Sequence, residues 1–288
     1  MAGTILVFGE SGQVAKALAG LRSGLTSELA FSGRDRCDLL RDDPTELIQS
    51  ATPSAVINAA AYTAVDKAQS EPDAAMRLNR DAPEAMAKAC AARGIPFVHI
   101  STDYVFGGDK PEPYVETDPV APLGAYGRSK SEGESAVMDA GGRWTIFRTA
   151  WVVAPEGKNF VRTMRRLAEE RELVRVVDDQ HGRPTLASDI AEMCLRAASS
   201  SADGKPRLEG LYHLAGAGDA AWADVAERVF QSVERLTGRR PVLERITTAD
   251  YPTPAKRPAN SRLDTSKLEK AANWAPRPWQ EAVDLCLG

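Results

Sequence analysis

Through its first half the chain alternates short β-branched or apolar runs with longer, alanine-rich stretches. "TILVFG" (4–9), "SAVINAA" (54–60), "IPFVHIS" (95–101) and "RWTIFR" (143–148) are separated by "GQVAKALAGL", "DDPTELIQSA", "SEPDAAMRLNRDAPEAMAKACAARG" and "GAYGRSKSEGE". Short apolar runs bounded by turn residues read as buried strands, and the stretches between them are long enough for crossover helices. Strands joined through helices must run parallel, and right-handed crossovers place helices on both faces of the sheet. The order therefore predicts an α/β fold, a doubly wound parallel sheet of Rossmann type. In such a sheet ligands lie beyond the carboxyl ends of the strands, so the residues just after each strand carry the function.

After Arg148 the rhythm loosens. Pro155, Gly157 and Pro184 interrupt residues 151–186, then "LASDIAEMCLRAAS" reads as a helix and "GLYHLAG" as a strand that returns to the sheet. The tail holds an amphipathic helix, "WADVAERVFQSVERL", and a proline-rich stretch, "DYPTPAKRPANSRL". We expect a main domain of 1–150 rejoined by 187–213, and a smaller C-terminal unit of 151–186 and 214–288 that completes a cleft.

Composition excludes several classes of partner. Of 288 residues, 43% are hydrophobic and 26% charged, with a net charge of −4, so the basic surface that nucleic acid requires is not expected. Cys37, Cys90, Cys194 and Cys286 are widely separated and form no C-x-x-C pair, which argues for reduced thiols and against a zinc site or disulfide framework. The opening "MAGTILVFGE" has no basic signal-type segment, and no run approaches the ~20 apolar residues of a membrane span. A cytoplasmic protein without membrane or metal partner is the expectation; a homodimer stays open.

Between the first strand and the first helix stand Gly9, Gly12 and the small Ala15. Glycine there lets the backbone turn tightly and approach a pyrophosphate, whose charge meets free N–H groups at the positive end of the helix. Glu10 occupies a position where a dinucleotide fingerprint usually has glycine, and a plain strand-to-helix turn would read similarly. The second strand, "ELAFSGRDRCDLL", runs into Ser32, Gly33 and Arg34 rather than the acid that would accept from an NAD ribose. A guanidinium suits a 2′-phosphate, which favours NADPH and leaves NADH possible. A solvated loop arginine would look the same in sequence. Asp38 and Leu39 follow at a distance suited to flanking an adenine.

Tyr126 and Lys130 are i and i+4 on one face of a predicted helix. With six tyrosines, Tyr-x-x-x-Lys arises by chance in roughly one such chain in five, so context must decide. The context is a third strand ending in the bare run Ala59, Ala60, Ala61 and a fourth ending in "STDYVF". An ammonium beside a phenol lowers its pKa, which would let Tyr126 deliver a proton to a developing alkoxide. A hydroxyl from Ser101 or Thr102 would steer the carbonyl oxygen; strand phase decides which.

The combination of "FGESGQVA", "NAAAYTAVDKAQSEPDAAMRLN", "STDYVFGG", "PLGAYGRSKSEGE", "FRTAWVV", "DDQHGRPT" and "RPANSRLD" resembles the extended short-chain dehydrogenase/reductases, and within them the dTDP-4-dehydrorhamnose reductase family, nearly end to end. The resemblance implies reduction of the C4 ketone of a dTDP-4-dehydro-sugar by NADPH or NADH. It places the catalytic trio on Thr102, Tyr126 and Lys130. Cofactor contacts fall on Gly9, Ser11, Gly12, Gln13, Val14, Asp38, Leu39, Ala59, Ala60, Ala61 and Tyr62, and the sugar pocket on Tyr104, Trp151, Thr63 and Val65. Asn79 matches a helix asparagine that contacts backbone near the cofactor, and Gly124 and Gly127 would bring the helix close to it.

For the nucleotide diphosphate the distal half offers Arg183, Lys256, Arg257 and Arg262, set in Pro/Asn-rich loops. Trp151 could stack on the apolar face of a deoxysugar or serve as a core residue. His181 and His213 read as packing residues. Two rival readings share the fold: an epimerase or dehydratase, for which Asp103 beside Thr102 would supply the acid, and a regulatory subunit of methionine adenosyltransferase, which the pattern also resembles.

Overall fold

The computed structural model describes residues 3–199 and 208–288. Its main strands are β1 (Thr4–Phe8), β2 (Glu28–Ser32), β3 (Ala55–Asn58), β4 (Phe97–Thr102) and β5 (Trp144–Thr149). Four short strands follow, β6 (Val152–Val153), β7 (Leu173–Val177), β8 (His181–Gly182) and β9 (Thr185–Leu186), then β10 (Gly210–His213), β11 (Ala220–Ala221) and β12 (Val242–Ile246). The helices are α1 (Gln13–Gly20), α2 (Pro44–Ala51), α3 (Pro72–Met76), α4 (Ala82–Arg93), α5 (Ala125–Asp139), α6 (Phe160–Glu170), α7 (Ala187–Ala198), α8 (Trp222–Thr237), α9 (Ser266–Ala272) and α10 (Trp279–Leu285).

A six-stranded sheet runs β10-β5-β4-β3-β1-β2, every neighbouring pair parallel. The α/β class, the parallel sheet and the return of "GLYHLAG" as its edge strand agree with the sequence. Strand alternation sends successive residues to opposite faces. Ile5 and Val7 therefore join a core with Leu18 of α1 and Ile190 and Cys194 of α7. Leu6 and Phe8 join another with Ile48 of α2, Met86 and Cys90 of α4, and Val137 of α5. Every residue of β3 is buried, as befits a strand covered on both faces.

A third apolar cluster lies apart from the sheet, where Val161 and Met164 of α6, Val174 and Val176 of β7, Val225 and Phe230 of α8 and Val283 of α10 pack together. Short pairings knit this lobe: β6 with β9 and β7 with β12 in parallel, β8 with β11 antiparallel. α9 lies in the stretch 214–288 expected for the smaller unit, yet Leu268 and Ala272 belong to the core under the main sheet. Their i, i+4 spacing gives α9 an apolar stripe that covers the edge at β10.

α3 continues into α4 through a five-residue π turn, Arg77–Asp81. Pro83 has no N–H for the carbonyl of Asn79, four residues back, so the helix widens at that point. This irregularity matters because α5 packs against it. A Cβ on Gly133 would collide with the Asn79 carbonyl oxygen, and one on Gly127 with that of Tyr104, so both glycines serve close backbone approach. The Tyr104 backbone that Gly127 approaches belongs to a residue lining the cavity described below.

Candidate active site

The carboxyl ends of β1, β3, β4 and β5 open onto one cavity of about 710 Å³, within the range of small-molecule sites. One wall is the β1–α1 turn. Gly9 holds φ +102°, and a Cβ there would sit 3.1 Å from backbone atoms of Ala59 and Ala60. α1 starts at Gly12 with no side-chain cap and no acid in its first turn, so its N-terminal N–H groups stay open to an anion. Ser11, Gly12, Gln13 and Val14 line the cavity, faced by Ala59, Ala60, Ala61, Thr63 and Val65 from the chain after β3. Gln13 also bridges to the other lobe, accepting from Asn159 Nδ2 at 2.8 Å and donating to the Val152 carbonyl at 3.3 Å.

Thr102, Tyr126 and Lys130 all line this cavity. Thr102 ends β4, where its hydroxyl accepts from Tyr104 N at 3.2 Å and donates to Asp103 Oδ1 at 3.0 Å. Ser101 lines the same cavity, and its hydroxyl is buried without a partner. The Tyr126 ring meets Tyr104 edge-on, with centroids 5.4 Å apart. Asn79, in the π turn, clamps the Tyr62 backbone from both sides at 2.9 and 3.1 Å and donates to Ser129 Oγ of α5 at 2.9 Å. Ser129 in turn donates to the Tyr126 carbonyl at 2.8 Å. The chain leaving β3 is thereby fixed to the helix that carries Tyr126.

The protonation states differ from the simple pairing expected. Burial pushes the Tyr126 phenol up to about 12, and the Thr102 hydroxyl only partly opposes it. Lys130 donates to the Ile100 carbonyl at 2.6 Å and faces His99 Nε2 at 3.2 Å, and burial brings its ammonium down to about 8. Tyr126 is therefore held as a neutral phenol, the form that can donate a proton.

Asp103 is buried, its Oδ2 has no hydrogen-bond partner, and burial raises its pKa from 3.8 to about 6. A carboxyl whose pKa is higher in the fold than in the unfolded chain binds extra protons on folding between those values. Its contribution to stability accordingly falls as pH rises through that window and is lowest above it. Asp103→Asn should stabilise the protein at pH 8 by about 3 kcal/mol relative to the wild type, with little gain at pH 4. Thermal melts at the two pH values check this, and equal gains would exclude the ionisation as the cause.

The opposite wall is aromatic. Trp151 and Trp222 stack with centroids 3.5 Å apart and planes 10° from parallel, and Phe160 leans on Trp222 at 4.5 Å. Trp151 holds φ +48°, a conformation that costs a bulky residue energy and so points to a constraint at this spot.

The family model described as the RmlD substrate binding domain matches residues 3–288. A dTDP-4-dehydrorhamnose reductase of Sinorhizobium fredii is 45% identical over 285 residues, covering 97% of this chain and 95% of that one. The chain belongs to the dTDP-4-dehydrorhamnose reductase family. The enzyme of that name from Escherichia coli K12 is 41% identical, covering 98% of this chain and 96% of its own. The crystal structure of the Bacillus anthracis dTDP-4-dehydrorhamnose reductase, in complex with NADP, superposes with a TM-score of 0.91 at 30% identity, covering 100% of this chain and 99% of that one.

Several residues singled out from the resemblance or from loop charge lie outside the cavity lining. Leu39 is packed in the core with Ile48 and Met86, and Asp38 caps its own turn by accepting from Leu40 N at 3.2 Å. Arg34 is exposed just past β2. The Tyr62 hydroxyl donates to Glu71 at 2.7 Å. Arg183 and Arg257, expected to meet phosphate, are engaged by the protein itself: Arg183 with Asp219 at 2.8 Å and the Leu263 carbonyl at 2.7 Å, Arg257 with Asp66 at 2.7 Å. Lys256 is exposed, and Arg262 pairs with Asp219 at 2.9 Å. The cations among the described lining residues are Lys130 and Lys158. Lys158, which opens the basic stretch "KNFVRTMRR", reaches the cavity from the C-terminal lobe, as do Phe160 and Trp222, which sequence reasoning did not single out. The available signal was the cluster "EGKNF", directly after the loop that follows β6.

Proposed function

We propose that this protein is a dTDP-4-dehydrorhamnose reductase that converts the C4 ketone of dTDP-4-dehydro-β-L-rhamnose to dTDP-L-rhamnose, in the cytoplasm, for dTDP-rhamnose and hence polysaccharide biosynthesis. One observation carries the reading: Thr102, Tyr126 and Lys130 meet on a single cavity with the bare Ala59–Ala61 run and the open N-terminus of α1, in a chain that aligns with this family over its whole length. The uncapped helix start and the close approach of Gly9 to the Ala59–Ala60 backbone fit a dinucleotide pyrophosphate. Residues 1–150 with 187–213 would hold the cofactor, and 151–186 with 214–288 the nucleotide sugar.

When bound, NADPH or NADH supplies the hydride. Thr102 donates a hydrogen bond to the ketone oxygen and sets its orientation. Tyr126, kept neutral by burial, gives its proton to that oxygen as negative charge develops there. Lys130 offers positive charge to the resulting phenolate, which restores the role expected of it at the point in the cycle when it is needed. Trp151, Trp222 and Phe160 present an apolar wall to the deoxysugar and exclude water from one side.

The test is a coupled assay in which the ketosugar is made in situ and reduced nicotinamide is followed by absorbance. Oxidation of one equivalent of cofactor per equivalent of sugar supports a reductase, whereas turnover without net oxidation indicates an epimerase and no turnover a binding subunit. In the same assay Arg34→Ala should raise the KM for NADPH about tenfold more than that for NADH. Equal changes would remove Arg34 from cofactor choice.

A further inference from the structure

Beneath the proposed catalytic lysine runs a buried chain of three polar side chains whose donors and acceptors follow from a single backbone N–H. Asn58, His99 and Lys130 are at most 1% exposed. Asn58 closes β3, and its carboxamide oxygen accepts from the Ala60 backbone N–H at 3.1 Å. A backbone N–H can only donate, so the oxygen is fixed on that side and Nδ2 must face His99 Nδ1, at 3.1 Å. Nδ2 can only donate in turn, so Nδ1 of His99 is the bare nitrogen and a neutral ring carries its proton on Nε2. Nε2 lies 3.2 Å from Lys130 Nζ. An ammonium has no lone pair to receive that N–H, whereas an amine does.

We propose that His99, oriented by Asn58, is a positioning residue that presents Nε2–H to Lys130 and so holds the lysine between its amine and ammonium forms rather than as a fixed cation. The inference rests on the reductase reading only for its catalytic consequence. From its ammonium form Lys130 can pass an N–H proton to the Tyr126 phenolate, the N–H bond breaking as the O–H bond reforms; the amine left behind accepts the His99 Nε2–H and then takes a proton from water, and no electrons change hands. The other groups around Lys130 pull both ways, with Glu134 and the Ile100 carbonyl favouring the ammonium and burial the amine. Glu134, one turn further along α5, favours the ammonium, but it is held by Arg148 of β5 at 2.7 Å. β3 contributes the neutral Asn58, through His99, and β4 the Ile100 carbonyl and His99, whose own protonation burial and Lys130 oppose. Burial brings Lys130 down to about 8, in the same direction.

Asn58→Asp is close to isosteric and reverses the chain: a carboxylate accepts where the amide donated, so His99 would move its proton to Nδ1 and offer Nε2 as an acceptor to the ammonium. The full-length protein contains three histidines, which makes selective ¹⁵N-histidine labelling readable. We expect the wild-type His99 to show a protonated Nε2 and a bare Nδ1, Asn58→Asp to exchange them, and the alkaline limb of kcat to move up by at least one pH unit in the variant. A protonated Nδ1 in the wild type would overturn the proposal whether or not the variant folds. So would a variant with lowered kcat and an unmoved alkaline limb, the signature of a merely structural role. If the wild type reduces no ketosugar, the functional reading fails instead, and the ring assignment still decides how Lys130 is held.

Discussion

Replacing Tyr126 with phenylalanine should lower turnover by about 10²-fold to 10⁴-fold while leaving cofactor affinity within about twofold, because it removes one oxygen that donates a proton only in the transition state. The Tyr126 ring would keep its edge contact with Tyr104, and the bond from Ser129 to the Tyr126 carbonyl does not involve the hydroxyl. The backbone of α5 thus has no reason to move. Steady-state kinetics with the ketosugar, alongside fluorescence titration of the reduced cofactor, separates the two quantities. A variant with full turnover would end the assignment of Tyr126 as proton donor, and one that lost cofactor affinity in parallel would show that the hydroxyl serves binding.

The second large effect is on stability. Arg148 of β5 and Glu134 of α5 are 3% and 1% exposed and are joined by three hydrogen bonds of 2.7 to 3.1 Å. The Arg148 guanidinium also lies over the Phe106 ring, 4.9 Å from its centre. This pair holds the helix that carries Tyr126 and Lys130 to the sheet. Arg148→Met strands a carboxylate in the interior and should cost about 3 to 5 kcal/mol, a fall in melting temperature on the order of 10 °C. The double replacement Arg148→Met with Glu134→Leu leaves no charge behind and should recover most of that loss. Urea melts of the two variants decide the matter. If the double replacement is as unstable as the single one, packing rather than the stranded charge accounts for the loss.

The fold class was legible because a parallel sheet covered on both faces writes itself as continuous apolar runs at regular intervals. The return of "GLYHLAG" to the sheet was legible for the same reason. That Thr102, Tyr126 and Lys130 share one cavity was legible too, since they belong to local patterns at a strand end and on one helix face. The cations were harder. A loop arginine reads the same whether it faces a phosphate or a carboxylate of its own chain, and only the fold brought Asp219 to Arg183 and Asp66 to Arg257. Trp222 and Phe160 likewise show as apolar positions on amphipathic helices, and nothing local says that their ends reach a cavity.

Local chain geometry was therefore enough to reveal the strands of the main sheet, their order along the chain, the glycine turn after β1 and the residues gathered at the cavity. Periodicity and spacing are properties of neighbouring residues. Tertiary structure alone decided that α9 serves the main sheet and that burial keeps Tyr126 a neutral phenol. It also brought Asn58 and His99, from two strands, beneath Lys130. Burial and hydrogen-bond partners set proton positions, and both depend on segments far apart in sequence being folded together.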